Sequence, residues 1–296
     1  MSRQTSPSTH QPYGVTRVLC VWELPRSTFY AQRTRPARPA PARRGRPPVV
    51  DDATLLAHIR TVIAESPFHG EGHRKIWARL RGLKQVRTSM RRVLRVMREA
   101  DLLSPARQPE PPSAHAHDGT IVTDQPNVMW GTDATAAVTL VEGAATIFAA
   151  IDHCTAECVG IHAAKHGDRF EALEPLRQGV RDHFGALAPA VAIGLALRHD
   201  HGSVYLSADF QAEISFFGMT SSPAFVRQPE GNGCIERFFR TLKEQLLWVR
   251  HFSTIEELRQ ALLAFKETYN REWLIARLGY RSPAQVRQAF AVRPAA

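Results

Sequence analysis

The sequence predicts an α/β domain, a mixed five-stranded sheet with flanking helices, preceded by small all-α helix-turn-helix domains. Three observations carry that expectation. Apolar residues recur at helical spacing between Asp51 and Leu103, then change past Trp130 to short apolar runs of strand type. Two proline-rich stretches divide the chain around that change. The charge is also uneven: residues 1–118 hold 21 Lys/Arg against 9 Asp/Glu, and the remainder hold 17 against 19. With 296 residues and 44% hydrophobic content the chain can bury a core. Its net charge of +10 lies wholly in the front part, as expected of a portion that grips a polyanion.

The first segment, residues 1–32, reads as a helix-turn-helix-like pair. Val15 to Trp22 is mostly apolar, Leu24-Pro25 breaks it, and Ser27 can cap a second helix through Phe29 and Tyr30. Residues 33–50 contain five prolines and six arginines and form a stiff linker. Within it, Arg44-Gly45-Arg46-Pro47 has the form of a segment that inserts into a narrow A·T minor groove; a merely basic linker is the other reading. From residue 51 to 104 the pattern is three helices. Asp51 or Asp52 caps the first, with Leu55, Ile59 and Val62-Ile63 on its apolar face. A turn at Ser66–Gly70 precedes a helix with Ile76, Trp77 and Leu80, and a turn containing Gly82 precedes a third. That third helix has Met90, Val93-Leu94 and Met97 on one side and Arg87, Arg91, Arg92, Arg95 and Arg98 on the other. This is the layout of a helix-turn-helix reader whose last helix enters the major groove. A three-helix bundle with a solvated arginine face fits the same residues. Residues 105–124 form a second linker.

Beyond it, Asn127 to Asp133 opens a strand that Ala137 to Val141 extends, and Ala144–Ile151 and Cys158–Ala163 add two more in a meander. Phe170–Phe184 is helical, Val191–Leu197 a strand ending at Asp200, Ser207–Phe217 helical and Met219–Ser222 a short strand. Ile235–Val249 reads as one long helix. Three strands, helix, strand, helix, strand and helix is the order of an α/β RNase H-like catalytic domain, here spanning residues 125–250. The C-terminal helical segment, 251–296, has a helix at Ile255–Tyr269 and another opened by Ser282-Pro283.

That element order brings three acidic residues to neighbouring ends: Asp133 in the first strand, Asp200 after the fourth, and Glu236 at the start of the long helix, with 35 residues between it and Asp200. Carboxylates suit Mg²⁺ or Mn²⁺, hard cations that prefer oxygen. Two such ions roughly 3.5–4 Å apart can drive an in-line displacement at phosphorus. Spacing alone is a weak signal, since acidic residues are common.

The surrounding blocks sharpen it. Gln228-Pro229-Glu230-Gly231-Asn232-Gly233-Cys234-Ile235-Glu236 and the following residues to Lys243 closely resemble the third catalytic block of bacterial insertion-sequence transposases, relatives of retroviral integrases. Trp130 to Thr135 and His199 to Ser203 resemble the first and second blocks. Tyr269-Asn270-Arg271 with Leu278 to Ala284 is similar to the family's tail, and Phe68 to Leu103 to its helix-turn-helix. The resemblance implies that Asp133, Asp200 and Glu236 bind the metal, two Mg²⁺ or Mn²⁺ ions, and that Arg240 and Lys243 touch DNA. Glu236, Arg240 and Lys243 share one helix face, although a solvated face is the other reading for the two cations. By the same resemblance Asp152 is structural. His199 and His201 flank Asp200, where packing or support is expected and contact with substrate or metal is the other reading.

The implied function is a DDE-type transposase or integrase. It would bind double-stranded DNA, namely an element's terminal inverted repeats and a target, cleave 3′ ends and join them. A homodimer or higher oligomer on DNA is implied, as is a helix-turn-helix partner from an upstream reading frame. The competing reading is a transposase-derived DNA-binding regulator without catalysis, whose mark would be a broken triad; here the triad is intact. A plain nuclease would not need the basic reader. Four scattered cysteines make no disulfide framework; Cys154 and Cys158 lack a CxxC spacing and a second ligand pair, and His69 and His73 are spaced like half of a zinc site but no CxxC follows them, so turn and helix roles are expected. No signal peptide and no span of roughly 20 apolar residues is evident. The expectation is therefore a cytoplasmic, nucleoid-associated protein that does not engage a membrane.

Overall fold

The computed structural model describes residues 3–34, 49–104, 121–224 and 232–292. Arg44, Arg46 and the Gln228–Gly231 stretch lie outside the described residues. By contacts the chain divides into two compact units, Met1–Val49 and Val50–Ala296.

In the first unit, α1 (Gly14–Val21) and α2 (Arg26–Thr34) form the expected pair. Helix α2 starts at Arg26, one residue before the serine expected to cap it. Leu19 is buried, and the Phe29 and Tyr30 rings meet edge to face.

The second unit begins with α3 (Asp52–Glu65), α4 (His73–Leu83) and α5 (Met90–Glu99). Asp51 accepts the Thr54 amide at 2.8 Å and so caps α3, and Ser89 caps α5 through the Arg92 amide. Leu55, Ile59, Val62, Ile76, Leu80, Val93, Val96 and Met97 close the three-helix core. Gly82 is inside α4 rather than in a turn; the break comes after Leu83. Val96 is buried where Leu94 and Met90 are only partly so, because the apolar face of α5 is centred one residue from the expected stripe.

Five strands follow: β1 (Met129–Thr139), β2 (Gly143–Asp152), β3 (Cys158–Ala164), β4 (Ala196–His199) and β5 (Thr220–Pro223). Their spatial order is β3-β2-β1-β4-β5, antiparallel for β1–β2 and β2–β3, and parallel for β1–β4 and β4–β5. The sheet is therefore mixed and five-stranded, as expected. Strand β4 is shorter than its apolar run: Val191–Gly194 is a turn, with Gly194 at φ 90°, so the ladder starts only at Ala196.

Alternation along β2 sends Ile147, Ala149 and Ile151 to one face and Phe148 and Ala150 to the other. The first face packs on α8 (Gly233–Leu242) and α9 (Ile255–Glu272) through Ile235, Phe238, Leu242, Leu258 and Leu262. The second packs on α6 (Arg169–Phe184) and α7 (Ala208–Phe216) through Leu173, Leu176, Val180, Phe210 and Ile214. Gly160 allows α6 to lie directly on β3, since a Cβ there would collide with the Pro175 carbonyl. The expected single helix to Val249 is α8 followed by a π-helical turn at Lys243–Leu247, which widens the helix at its end. The last helix, α10 (Pro283–Ala291), opens with a full capping box between Ser282 and Gln285.

The helical front and the sheet are joined within this unit. Phe68, in the turn after α3, is buried in the sheet's core and meets Trp273 edge to face at 4.8 Å. Arg79 pairs with Glu71 at 2.6 Å and also donates to the Glu272 carbonyl at 3.2 Å.

Candidate catalytic carboxylates and DNA-facing residues

Strand pairing explains why Asp133 and Asp200 are neighbours. The last ladder pair between the parallel strands β1 and β4 is Gly131 with Arg198. Two residues further along each strand stand Asp133 and Asp200, at the carboxyl end of β4, where open α/β sheets form their crevices. Asp200 is exposed, and its Oδ1 accepts the Gly202 amide at 2.8 Å, which fixes the turn after β4. Asp133 is partly buried and accepts the Ala134 amide at 2.8 Å. Glu236 is exposed in the first turn of α8, where a carboxylate also suits the helix dipole.

Asp133 senses all of its partners. Burial pushes its carboxyl up to about 6, against the pull of the Ala134 amide, and the negative charges of Asp200 and Glu236 push the same way. Lys243 acts in the opposite direction. A partly desolvated carboxylate that also feels two other negative charges is one that nearby positive charge would stabilise in its ionised form. Among the described residues, however, no three His, Cys, Asp or Glu side chains are already drawn together as a ligand set.

The floor of the site is packed. His199 is buried, with Nδ1 donating to the Asp200 carbonyl at 2.6 Å, Nε2 on the Ser221 hydroxyl at 2.9 Å, and its ring stacked on Tyr205. Burial, with Asp133 and Asp200 nearby, raises the Tyr205 phenol. His201 is exposed. Asp152 is fully buried, accepts the Asn127 and Thr155 amides at 2.7 and 2.8 Å, and faces Arg287 of α10. These contacts give Asp152 a structural task.

The basic residues divide. Arg240 is exposed and pairs with Glu244 at 3.2 Å, whereas the charge of Lys243 reaches Asp133. On α5, Arg92 is drawn inward to Asp52 and the Val50 carbonyl, and Arg95 to Asp52 and Glu99. Arg87, just before α5, and Arg91 are exposed, with no ion-pair partner among the described residues. Arg237 went unremarked in the sequence; with Arg240, Thr241 and Lys75 it lines a groove between α4 and α8. Asn232 and His153 were also missed, and both lie beside β1. Asn232 could have been found one helical turn before Glu236; nothing local marks His153.

Residues 50–110 match the family described as an HTH-like domain, and residues 218–283 the integrase core domain. The chain is 28% identical over 246 residues to transposase InsD for insertion element IS2A/D/F/H/I/K of Escherichia coli, covering 79% of this chain and 78% of that protein.

Over most of its length the chain is similar to insertion-element transposases.

A second similar protein, transposase InsD for insertion element IS2-9 of Escherichia coli (strain K12), also shares 28% identity, over 79% of this chain and 77% of its own. Among solved structures, a chain of the simian T-cell lymphotropic virus intasome in complex with PP2A regulatory subunit B56 gamma aligns with a TM-score of 0.47 at 14% identity, over 83% of this chain and 77% of that one. The HTLV-2 integrase catalytic core domain in complex with magnesium aligns at 0.40 and 16%, over 55% and 97%. The mixed sheet, its flanking helices and the HTH-like front agree with the fold class read from the sequence. No helix among the described residues is long and apolar enough to cross a membrane.

Proposed function

We propose that this chain is a DDE-type DNA transposase that binds the terminal inverted repeats of its element, cleaves the 3′ ends and joins them to target DNA. The observation that carries the reading is Asp133, whose carboxyl is raised to about 6 with Asp200 and Glu236 adding to the shift. The donor set is entirely oxygen and anionic, which fits Mg²⁺ or Mn²⁺ and not a soft metal. Asp133, Asp200 and Glu236 would hold the metal, two ions on the family pattern, which when bound supplies charge stabilisation for in-line transfer at phosphorus.

The chain's own residues do the rest. Asp133, partly buried on β1, forms the floor, while the exposed Asp200 and Glu236 face the incoming DNA. His199 stiffens the backbone at Asp200 by holding its carbonyl. Lys243 and Arg240 provide positive charge along α8 for backbone phosphates, and Arg87 and Arg91 do so at α5. Residues 51–104 act as the end-binding reader and 125–250 as the catalytic core, followed by the helical segment 251–296 that completes their packing. Two DNA ends require two copies of the site, so the working assembly is at least a dimer, located with the bacterial DNA in the cytoplasm. An upstream-frame helix-turn-helix protein would join it there.

The test is a strand-transfer assay with labelled duplexes carrying the ends that flank the gene. Asp133→Asn, Asp200→Asn and Glu236→Gln should each abolish cleavage and joining in Mg²⁺ or Mn²⁺ while end binding persists. Joining activity retained by any one of them removes that residue from the metal site.

A further inference from the structure

Helix α8 starts unlike most helices of its unit, and unlike α4, whose N-cap Gly72 has no side chain, it has a residue able to cap it. Asp51, Ser89, Asp168, Ser207, Thr254 and Ser282 each turn their side chains back to cap their own helices. Asparagine is among the best residues for that task. Yet Asn232, at the N-cap of α8, makes no side-chain cap hydrogen bond. It is buried, and its Nδ2 donates instead to the Thr132 carbonyl at 3.2 Å, on the residue just before Asp133. Glu236 stands one helical turn further along α8, so this bond links the helix carrying one carboxylate to the strand carrying another.

A second observation points the same way. Gly131 precedes Asp133 by two residues and shares its face of β1. A Cβ on Gly131 would lie 2.8 Å from Asn232 Oδ1 and 2.7 Å from His153 Nε2. Both atoms therefore rest in the space a side chain would fill. His153 is itself fully buried and anchored on several sides: its amide donates to the Met129 carbonyl at 3.0 Å, and Nδ1 lies 2.9 Å from the Ile121 carbonyl. Arg277 donates to the His153 and Cys154 carbonyls at 3.1 and 3.0 Å. Neither Asn232 Oδ1 nor His153 Nε2 has a hydrogen-bond partner among the described residues. Burying two polar atoms without partners costs stability.

We propose that Asn232, seated against Gly131 and backed by His153, is the positioning residue that sets Glu236 relative to Asp133 for metal binding. This rests on the carboxylate reading above. Asn232 touches neither DNA nor metal in this role; it acts through the helix that carries Glu236. Serine distinguishes placement from capping, because it caps a helix well but is too short to reach the Thr132 carbonyl. Gly131→Ala approaches the same contact from the other side by forcing both atoms away.

The experiment is Mn²⁺ binding to the full chain without DNA, read from the electron paramagnetic resonance signal of free Mn²⁺, with near-ultraviolet circular dichroism as the check on folding. Asn232→Ala, Asn232→Ser and Gly131→Ala are each expected to weaken Mn²⁺ binding by about 10–100-fold, the usual effect of losing a residue that orients metal ligands. Asp133→Asn should remove binding altogether. Native affinity in Asn232→Ser overturns the proposal, since the bond to the Thr132 carbonyl would then be dispensable for metal binding. If Asp133→Asn loses Mn²⁺ while all three other variants keep native affinity, the positioning role is wrong and the carboxylate reading stands. If Asp133→Asn also keeps Mn²⁺, both are wrong. Should Asn232→Ala fail to fold, the Asn232→Ser and Gly131→Ala pair decides the matter on the same criteria.

Discussion

Asp133 holds its proton more tightly when the chain is folded than when it is not. Its carboxyl rises from 3.8 to about 6, chiefly through burial. Between those values the folded state binds more protons, so the group's effect on stability becomes less favourable as pH rises through that window. The shift corresponds to at most ~3 kcal/mol at neutral pH, at about 1.36 kcal/mol per pH unit. In metal-free protein Asp133→Asn is therefore expected to raise the unfolding midpoint at neutral pH, and the gain should vanish below a pH of about 4. Thermal melts of both proteins in chelator across that range check it; parallel curves would mean that Asp133 is not strained. The same substitution is expected to abolish joining. Stability and activity would then move in opposite directions at one residue, as expected of a carboxylate held partly desolvated, near other negative charges, for a cation to stabilise.

Among the elements, α5 shows how an arginine-rich face can split into two tasks. Arg92 and Arg95 lie against Asp52 at the start of α3, at 2.7 Å each, and pull its carboxyl below the usual range. Arg91 remains exposed. Arg91→Ala is expected to weaken binding to end DNA and to reduce the slope of log affinity against log salt by about 0.9, one phosphate contact. Arg92→Ala should instead act mainly on stability, since it strips the Val50 carbonyl of a donor and leaves Asp52 with Arg95 alone. Its salt slope should stay near that of the unaltered protein. Filter binding at several salt concentrations, alongside thermal melts, separates the two, and a reversed pattern would return Arg92 to the DNA-facing set.

Taken whole, the unit from Val50 onward is locked by groups far apart in sequence. The Glu71 carboxylate is almost fully buried, accepting from Arg79 Nε at 2.6 Å and Ser66 Oγ at 2.9 Å. Arg79 in turn reaches Glu272 at the end of α9. Glu71→Ala would leave a buried guanidinium unpaired, a defect that costs about 3–5 kcal/mol. Urea unfolding should show that loss, and the helical front and the sheet should lose structure together. A second, separate transition for the front would show that the junction at Phe68, Trp273 and Arg79 does not couple them.

Much of this molecule was legible in its sequence because the information is local. The helical period around Leu55, Ile76 and Val93, the apolar runs of the sheet, and Ser282-Pro283 as a helix start all depend on residues within a turn or two of each other. Asp133, Asp200 and Glu236 were singled out in the same way, from strand and helix ends and the blocks around them. What lay beyond reach was pairing across long separations. Val191–Gly194 is apolar enough for a strand, but its chain turns there, so only four residues of β4 join the sheet. The arginines of α5 look equivalent until Asp52, some 40 residues earlier, claims two of them. Asn232 looks like a helix cap until β1 offers a carbonyl exactly one residue from Asp133. Sequence by itself thus determined the elements and their order and singled out the candidate carboxylates, because side-chain type and period act locally. Tertiary structure alone decided which charges are already engaged and which backbone atoms hold the helix of Glu236 in place, because those partners meet only once the sheet has formed.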